Sequence, residues 1–166
     1  MPVDVEALFR EHHRPLHLYL TRLTGDAELA ADATQEAFAR MIERHPEDQH
    51  PRAWLYTVAT NYARETARTR SRRAVLGEGA GERITADAPA QPDELAAARR
   101  DAERVRRALD DLAERERTVL LMREEGFAHR EIAAAVGTTT GSVGTMIARA
   151  LDKLALALDL DAEAAT

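Results

Sequence analysis

Between residues 3 and 24 the apolar positions Leu8, Leu16, Leu20 and Leu23 recur at helical spacing, with Pro15 placed to interrupt or kink the run. Gly25-Asp26 reads as a helix stop followed by a new N-cap. The next helix spans about 27 to 44 and turns Leu29, Ala33, Ala37, Met41 and Phe38 inward; His45-Pro46 ends it in the polar loop HPEDQH. Pro51 suits the first turn of a third helix, whose apolar stripe is Trp54, Leu55, Val58, Ala59 and Tyr62.

The pattern then lapses. Residues 74 to 92 hold Gly77, Gly79, Gly81, Pro89 and Pro92 and almost no large apolar side chain, which predicts a flexible linker. The chain therefore divides into 1–73, the linker 74–92 and 93–166. In the last part Asp93 can cap a helix reaching about Ala113, with Leu95, Val105, Leu109 and Leu112 inward. A helix over about 115–125 buries Val119, Leu120 and Met122, and Gly126 breaks it. Ile132, Ala133 and Val136 mark a short helix stopped by Gly137, and a threonine run caps a last helix to about Leu158.

Composition narrows the fold class. Apolar residues make up 45% of the 166 and aromatics only 4%; much of the apolar share is alanine, so several small helical cores are expected, all-α, with no strand. No apolar run reaches the length of a membrane span, and MPVDVEALFREHH lacks the basic start and apolar centre of a signal peptide, so a cytoplasmic protein without membrane insertion is expected. With no cysteine, disulfides and thiolate metal sites are excluded. The net charge of −6 hides a local asymmetry: residues 51–73 carry six arginines against Glu65, +5 in an otherwise acidic chain.

The piece HREIAAAVGTTTGSVGTMIARAL has the grammar of a helix-turn-helix. Small Ala134 and Ala135 permit close crossing, Gly137 turns the chain, and Val143, Ile147 and Leu151 give the second helix an apolar stripe. Thr138 or Thr139 caps that helix. Two short helices joined by a glycine also arise without DNA binding, and from Ile132 to Ala148 there is no ionisable side chain. Spacing alone leaves reading and packing both open.

The stretch from Leu109 to Leu154 resembles the fourth conserved region of bacterial sigma factors, specifically the small extracytoplasmic-function (ECF, group 4) members of the sigma-70 family. The likeness rests on Leu112, Arg115, Arg117, Val119, Leu120, Gly126, Glu131, Ile132, Ala133, Gly137, Gly141, Val143 and Arg149. DATQEAFARM is similar to the family's D-x-x-Q-E-x-F signature, and PRAWLYTVATNYARETARTRSRR looks like its promoter-melting segment. The resemblance covers about residues 5 to 73 and 100 to 156 in family order. It implies a two-domain sigma factor that binds core RNA polymerase, through the largest-subunit clamp helices and the flap, and directs promoter recognition, melting and transcription initiation.

Site residues follow from that resemblance. Asp32, Gln35, Glu36 and Arg40 share one polar face and correspond to the core-polymerase contact; by charge alone such a stripe also fits a solvated face. Arg52, Trp54, Asn61, Arg64, Arg68, Arg72 and Arg73 correspond to the minus-ten contacts, with arginines every four residues along a phosphate backbone. Trp54 fits equally a core tryptophan on an apolar stripe. Arg130, Thr140, Ser142, Gly144, Thr145 and Arg149 correspond to the minus-thirty-five contacts. Here the chain departs from the family resemblance, whose members typically carry lysine or arginine where Gly144 and Met146 stand.

Catalytic chemistry is not indicated. There is no phosphate-binding G-x-x-x-x-G-K-[ST] loop, no G-x-S-x-G elbow and no H-E-x-x-H pair, so an enzyme is not expected and no cofactor is implied. His13 and His17 stand i, i+4, a spacing open to zinc but also to two exposed histidines. A second class of function stays in view: a sigma-derived regulator or interaction module that binds polymerase or another protein and reads little DNA. Under the first class an anti-sigma partner is also implied by the family.

Overall fold

The computed structural model describes residues 3–44, 50–77 and 93–164. Among them run seven α-helices and no strand: α1 (Val5–Thr24), α2 (Ala27–Arg44), α3 (Pro51–Val75), α4 (Asp93–Asp110), α5 (Glu114–Glu124), α6 (His129–Val136) and α7 (Thr140–Ala164). The loop 45–49 and most of the expected linker, 78–92, lie outside the described residues.

Local chemistry sets the boundaries of the first helices. Asp4 caps α1 by accepting from the Ala7 N–H at 3.0 Å. Gly25 closes the helix in the left-handed region (φ 68°), and its N–H donates to the Thr21 carbonyl. The Asp26 carboxylate then accepts from Leu29 N–H at 3.0 Å, capping α2, which starts at the next residue, Ala27. Contrary to the sequence expectation, Pro15 does not interrupt α1. A proline removes one donor, and the carbonyl it orphans belongs to exposed Glu11, where water can replace it. Burial of Leu16, Tyr19, Leu20 and Leu23 just beyond holds the helix through the site.

The first three helices enclose a core built from Leu16, Tyr19 and Leu20 of α1, Ala33, Ala37, Phe38 and Met41 of α2, and Leu55, Tyr56, Ala59 and Ala63 of α3. The alanines let the helices approach closely, which offsets the scarcity of large side chains. At its centre the Tyr19 and Thr60 hydroxyls share a hydrogen bond of 2.9 Å, satisfying two fully buried polar groups. Trp54, Val58 and Tyr62, expected in the stripe, sit half-buried at its margin. Tyr56 takes the central place instead.

The remaining helices depart from expectation in detail. Leu109 and Leu112 are buried as expected, whereas Leu95 and Val105 are exposed. The reason is rotational: α4 meets α7 through the side bearing Arg104, which donates to the Leu158 carbonyl, and buried Ala108. In α5, Val119, Leu121 and Met122 are buried and Leu120 is only partly so. Ala135 packs inward but Ala134 is exposed. Gly137 (φ 67°) makes the turn, and Thr139 caps α7 by accepting from Ser142 N–H. Along α7 the buried seam is Val143 and Ala150, flanked by Met146, Ile147 and Leu154; Leu151, expected inward, is 48% exposed. Alanine at 150 brings α7 closer to its neighbours than a leucine there would allow, and this rotates Leu151 outward. The helix also runs past Leu158 to Ala164.

Candidate nucleic-acid interface

On α2, Asp32 and Gln35 are exposed, while Glu36 and Arg40 pair at 2.7 Å. Arg40 also lies over the Tyr62 ring, 5.9 Å from its centroid, so α3 fixes its direction. Arg70 of α3 reaches Asp26 at 3.0 Å and Asp32 at 3.9 Å. The four α2 residues thus lie on one accessible face as their spacing requires. Glu36 and Arg40 neutralise each other on it, leaving the Asp32 carboxylate and the Gln35 amide as its outward polar groups.

The seven residues singled out on α3 are divided between two environments. Asn61, Arg68, Arg72 and Arg73 are exposed, and Trp54 is half-buried against the core. Arg52 and Arg64 instead face the C-terminal helices. The Arg52 guanidinium stacks on Phe127, 4.2 Å from the ring centroid, and donates to the Glu125 carbonyl at 2.6 Å. Arg64 Nε donates to the Glu114 carboxylate, which Arg68 also approaches at 3.8 Å.

Tyr56 completes this junction. Its ring meets Phe127 edge-on at 4.9 Å and Tyr19 at 5.1 Å. Its hydroxyl faces Glu125 Oε2 at 3.4 Å. Burial and the Glu125 carboxylate push the Tyr56 phenol up to about 12, so it is a neutral donor at physiological pH. Burial likewise raises Tyr19. Neither Phe127 nor this use of Tyr56 was read from the sequence. Phe127, the one large apolar residue in EEGFAHRE, was the available signal.

The helix-turn-helix is fastened from α5. Arg115 donates to the Val136 carbonyl at 2.9 Å and to that of Gly137 at 3.3 Å, capping the end of α6. Glu116 accepts two hydrogen bonds from Lys153 of α7, at 2.7 and 2.9 Å, and one from Ala113 N–H. Lys153 and that N–H hold the Glu116 carboxyl below its ordinary range. On α7, Thr140, Thr145, Ala148 and Arg149 are exposed, and Ser142 and Gly144 are half-buried. A Cβ at Gly144 would lie 3.9 Å from His129 Cε1, ordinary contact. Arg130 of α6 reaches His50 across the junction at 3.1 Å.

No three His, Asp, Glu or Cys residues among those described converge to hold a metal. His13 stacks on Phe9 at 4.5 Å rather than on a second histidine. No described helix is long and apolar enough to cross a membrane.

Sigma-70 region 2 matches residues 8–73, and sigma-70 region 4 matches residues 102–154. The chain is 34% identical to the ECF RNA polymerase sigma factor SigL of Mycobacterium tuberculosis, over 93% of its own length and 88% of that protein's. It is 30% identical to the ECF RNA polymerase sigma factor EcfG of Rhodopseudomonas palustris, over 88% and 80%. In structure it resembles the sigma factor RpoE of Bartonella quintana, solved with the anti-sigma factor NepR, at a TM-score of 0.76 and 23% identity over 95% and 98% of the two chains. CnrH, solved with the cytosolic domain of CnrY, gives a TM-score of 0.68, also at 23% identity, over 95% and 88%. The chain belongs to the sigma-70 family, as an extracytoplasmic-function RNA polymerase sigma factor.

Proposed function

We propose that this sigma factor divides promoter recognition unequally between its two halves. The α2 face of Asp32, Gln35, Glu36 and Arg40 docks core polymerase at the clamp helices. Helix α3 takes the minus-ten element, Arg68, Arg72 and Arg73 meeting phosphates and Asn61 and Trp54 meeting unstacked bases. Arg52 and Arg64 join them once released from the C-terminal helices. The α6–α7 pair contacts the minus-thirty-five element and the flap, with Arg130 and Arg149 on phosphate and Thr140, Ser142, Gly144 and Thr145 approaching base edges and thymine methyls. The observation that carries this reading is the row of exposed cations on α3, beside a recognition helix whose one cation among the candidate contacts is Arg149. Two weak contacts on one tethered chain act together as one strong one.

The protein acts in the cytoplasm as a non-catalytic initiation factor, and a small anti-sigma protein is a further partner. Run-off transcription with purified core enzyme on the promoter of its own operon tests the reading; a discrete transcript and co-elution with core are expected. The charge-poor surface of α7 favours one other reading, a sigma-derived module that binds polymerase and reads little DNA. A gel shift of the full chain with core, on promoter and scrambled duplexes across a salt series, separates them. Equal binding to both duplexes would support the second.

A further inference from the structure

We propose that Arg115 and Glu116, consecutive residues in the first turn of α5, are positioning residues for the DNA-facing segment of α7, which they hold from both ends. This rests on the minus-thirty-five contacts proposed for α6 and α7. Arg115 secures the leading end: its guanidinium donates to the Val136 carbonyl at 2.9 Å and to the Gly137 carbonyl at 3.3 Å. Those carbonyls end α6 and begin the turn, which Gly137 makes in the left-handed region. Thr138 N–H donates back to the Ala133 carbonyl at 3.0 Å, so the turn is itself closed on α6. Glu116 secures the trailing end, where Lys153 Nζ donates to both of its carboxylate oxygens at 2.7 and 2.9 Å. The candidate contacts from Thr140 to Arg149 lie between these two anchors.

The segment has little with which to fix its own direction. Before Arg149 it holds no ionisable side chain, and buried Val143 and Ala150 supply apolar packing, which is not directional. Direction comes from α5. An ion pair between two freely moving surface side chains contributes little, but here one partner is locked. The Glu116 side chain is only 15% exposed, and its carboxylate is tied to the α5 backbone by the Ala113 N–H at 3.2 Å. Lys153 is thereby drawn to a fixed point. Arg149 stands one turn before Lys153 on the same face of α7, and after Lys153 and the Ala113 N–H it too favours the Glu116 carboxylate. A surface of hydroxyls, methyls and glycine backbone gains affinity only by close fit, so a small change of helix angle costs it contacts. Arg115 and Glu116 therefore act on DNA reading through α7, without touching DNA.

The test uses core polymerase carrying the full chain, on the promoter of its own operon and on a copy with the minus-thirty-five element scrambled. Filter binding across a salt series reads affinity and salt slope. Glu116→Gln keeps an acceptor for the Ala113 N–H and removes the charge that holds Lys153; Lys153→Met removes the partner. If the unclasped segment keeps its docking angle about a tenth of the time, each variant weakens binding to the intact promoter about tenfold. The salt slope is expected to stay unchanged, and the double variant to be no weaker than either single one. Arg115→Gln is expected to give the same loss at the same slope. On the scrambled copy all variants should bind as the wild type does. A direct phosphate role gives different signs. If Glu116 merely withholds Lys153 or Arg149 from phosphate, Glu116→Gln tightens binding; if Lys153 or Arg115 is itself a phosphate ligand, its variant lowers the slope by about one unit. Any of these results would overturn the positioning. So would variants that melt lower yet bind the intact promoter as the wild type does, the mark of a purely structural clasp. Should Arg115→Gln fail to fold, the Glu116 and Lys153 variants still decide. Equal wild-type binding to the two duplexes removes the minus-thirty-five reading and the positioning with it; a wild-type preference that every variant retains removes the positioning alone.

Discussion

Helices α3 and α7 are each 25 residues long and each is the last helix of its half of the chain, yet on the proposed reading they meet DNA on opposite terms. Helix α3 carries six arginines in its length. Helix α7 carries Arg149 and Lys153, and Lys153 is held by Glu116. A helix rich in guanidinium gains affinity from counterion release wherever phosphate lies, whatever the sequence. A helix of threonine, serine and glycine gains little until it fits closely into a groove, and then its hydroxyls and methyls distinguish base edges. On the proposed reading the contrast puts strength on α3 and close fit on α7.

The widest way to break that contrast is to strip α3. Arg68→Ala, Arg72→Ala and Arg73→Ala together should lower the slope of log affinity against log salt by about two to three units for the polymerase complex on promoter DNA. Filter binding from low to moderate salt measures it. A change below one unit would mean that α3 does not track phosphate. Next in size is the platform beneath α3. Tyr19→Phe leaves the buried Thr60 hydroxyl without its partner and should cost about 1–3 kcal/mol, read by urea unfolding. An unchanged midpoint would show that Thr60 bonds elsewhere.

Helix α7 can be pushed toward the chemistry of α3. Gly144→Lys introduces a cation on the exposed side of α7, with ordinary contact to His129, and removes a helical glycine costing about 1 kcal/mol. It should raise the salt slope by about one unit and raise stability as well. A tighter complex with an unchanged slope would show that the lysine reads bases rather than phosphate.

The smallest effect is a pH dependence. The folded Glu116 carboxyl titrates below its unfolded value because Lys153 and Ala113 N–H favour the carboxylate. Its contribution is therefore present above the unfolded pKa and lost as pH falls through the lower folded pKa. Glu116→Gln should lower the melting temperature slightly at neutral pH, and the gap should close in acid below the ordinary carboxylate range. A gap that persists there would assign the loss to packing.

The parts legible in the sequence were those set by neighbours a few residues apart. The stop at Gly25, the cap at Asp26, the proline opening α3, and the glycine turn at Gly137 all emerge where local chemistry requires them. Periodicity found the stripes but not their rotation. It could not choose between Ala150 and Leu151, because a helix neighbour that tolerates only a small side chain is invisible in the stripe itself. For the same reason Val105 is exposed while Ala108 is buried. Least legible was the junction. Arg52 and Glu125, or Arg64 and Glu114, are separated by 73 and 50 residues, and no spacing rule links them. Arginines that spacing marked as one basic stripe are thereby split into exposed and internally engaged sets.

On the proposed reading α3 supplies most of the phosphate affinity of the assembled complex and α7 little of it. Its most direct test is the salt slope of promoter binding by core polymerase carrying the wild type, the triple α3 variant, or Arg149→Ala. A loss of about two to three units is expected for the α3 variant and at most about one for Arg149→Ala. Equal losses, or a larger loss at Arg149, would contradict it.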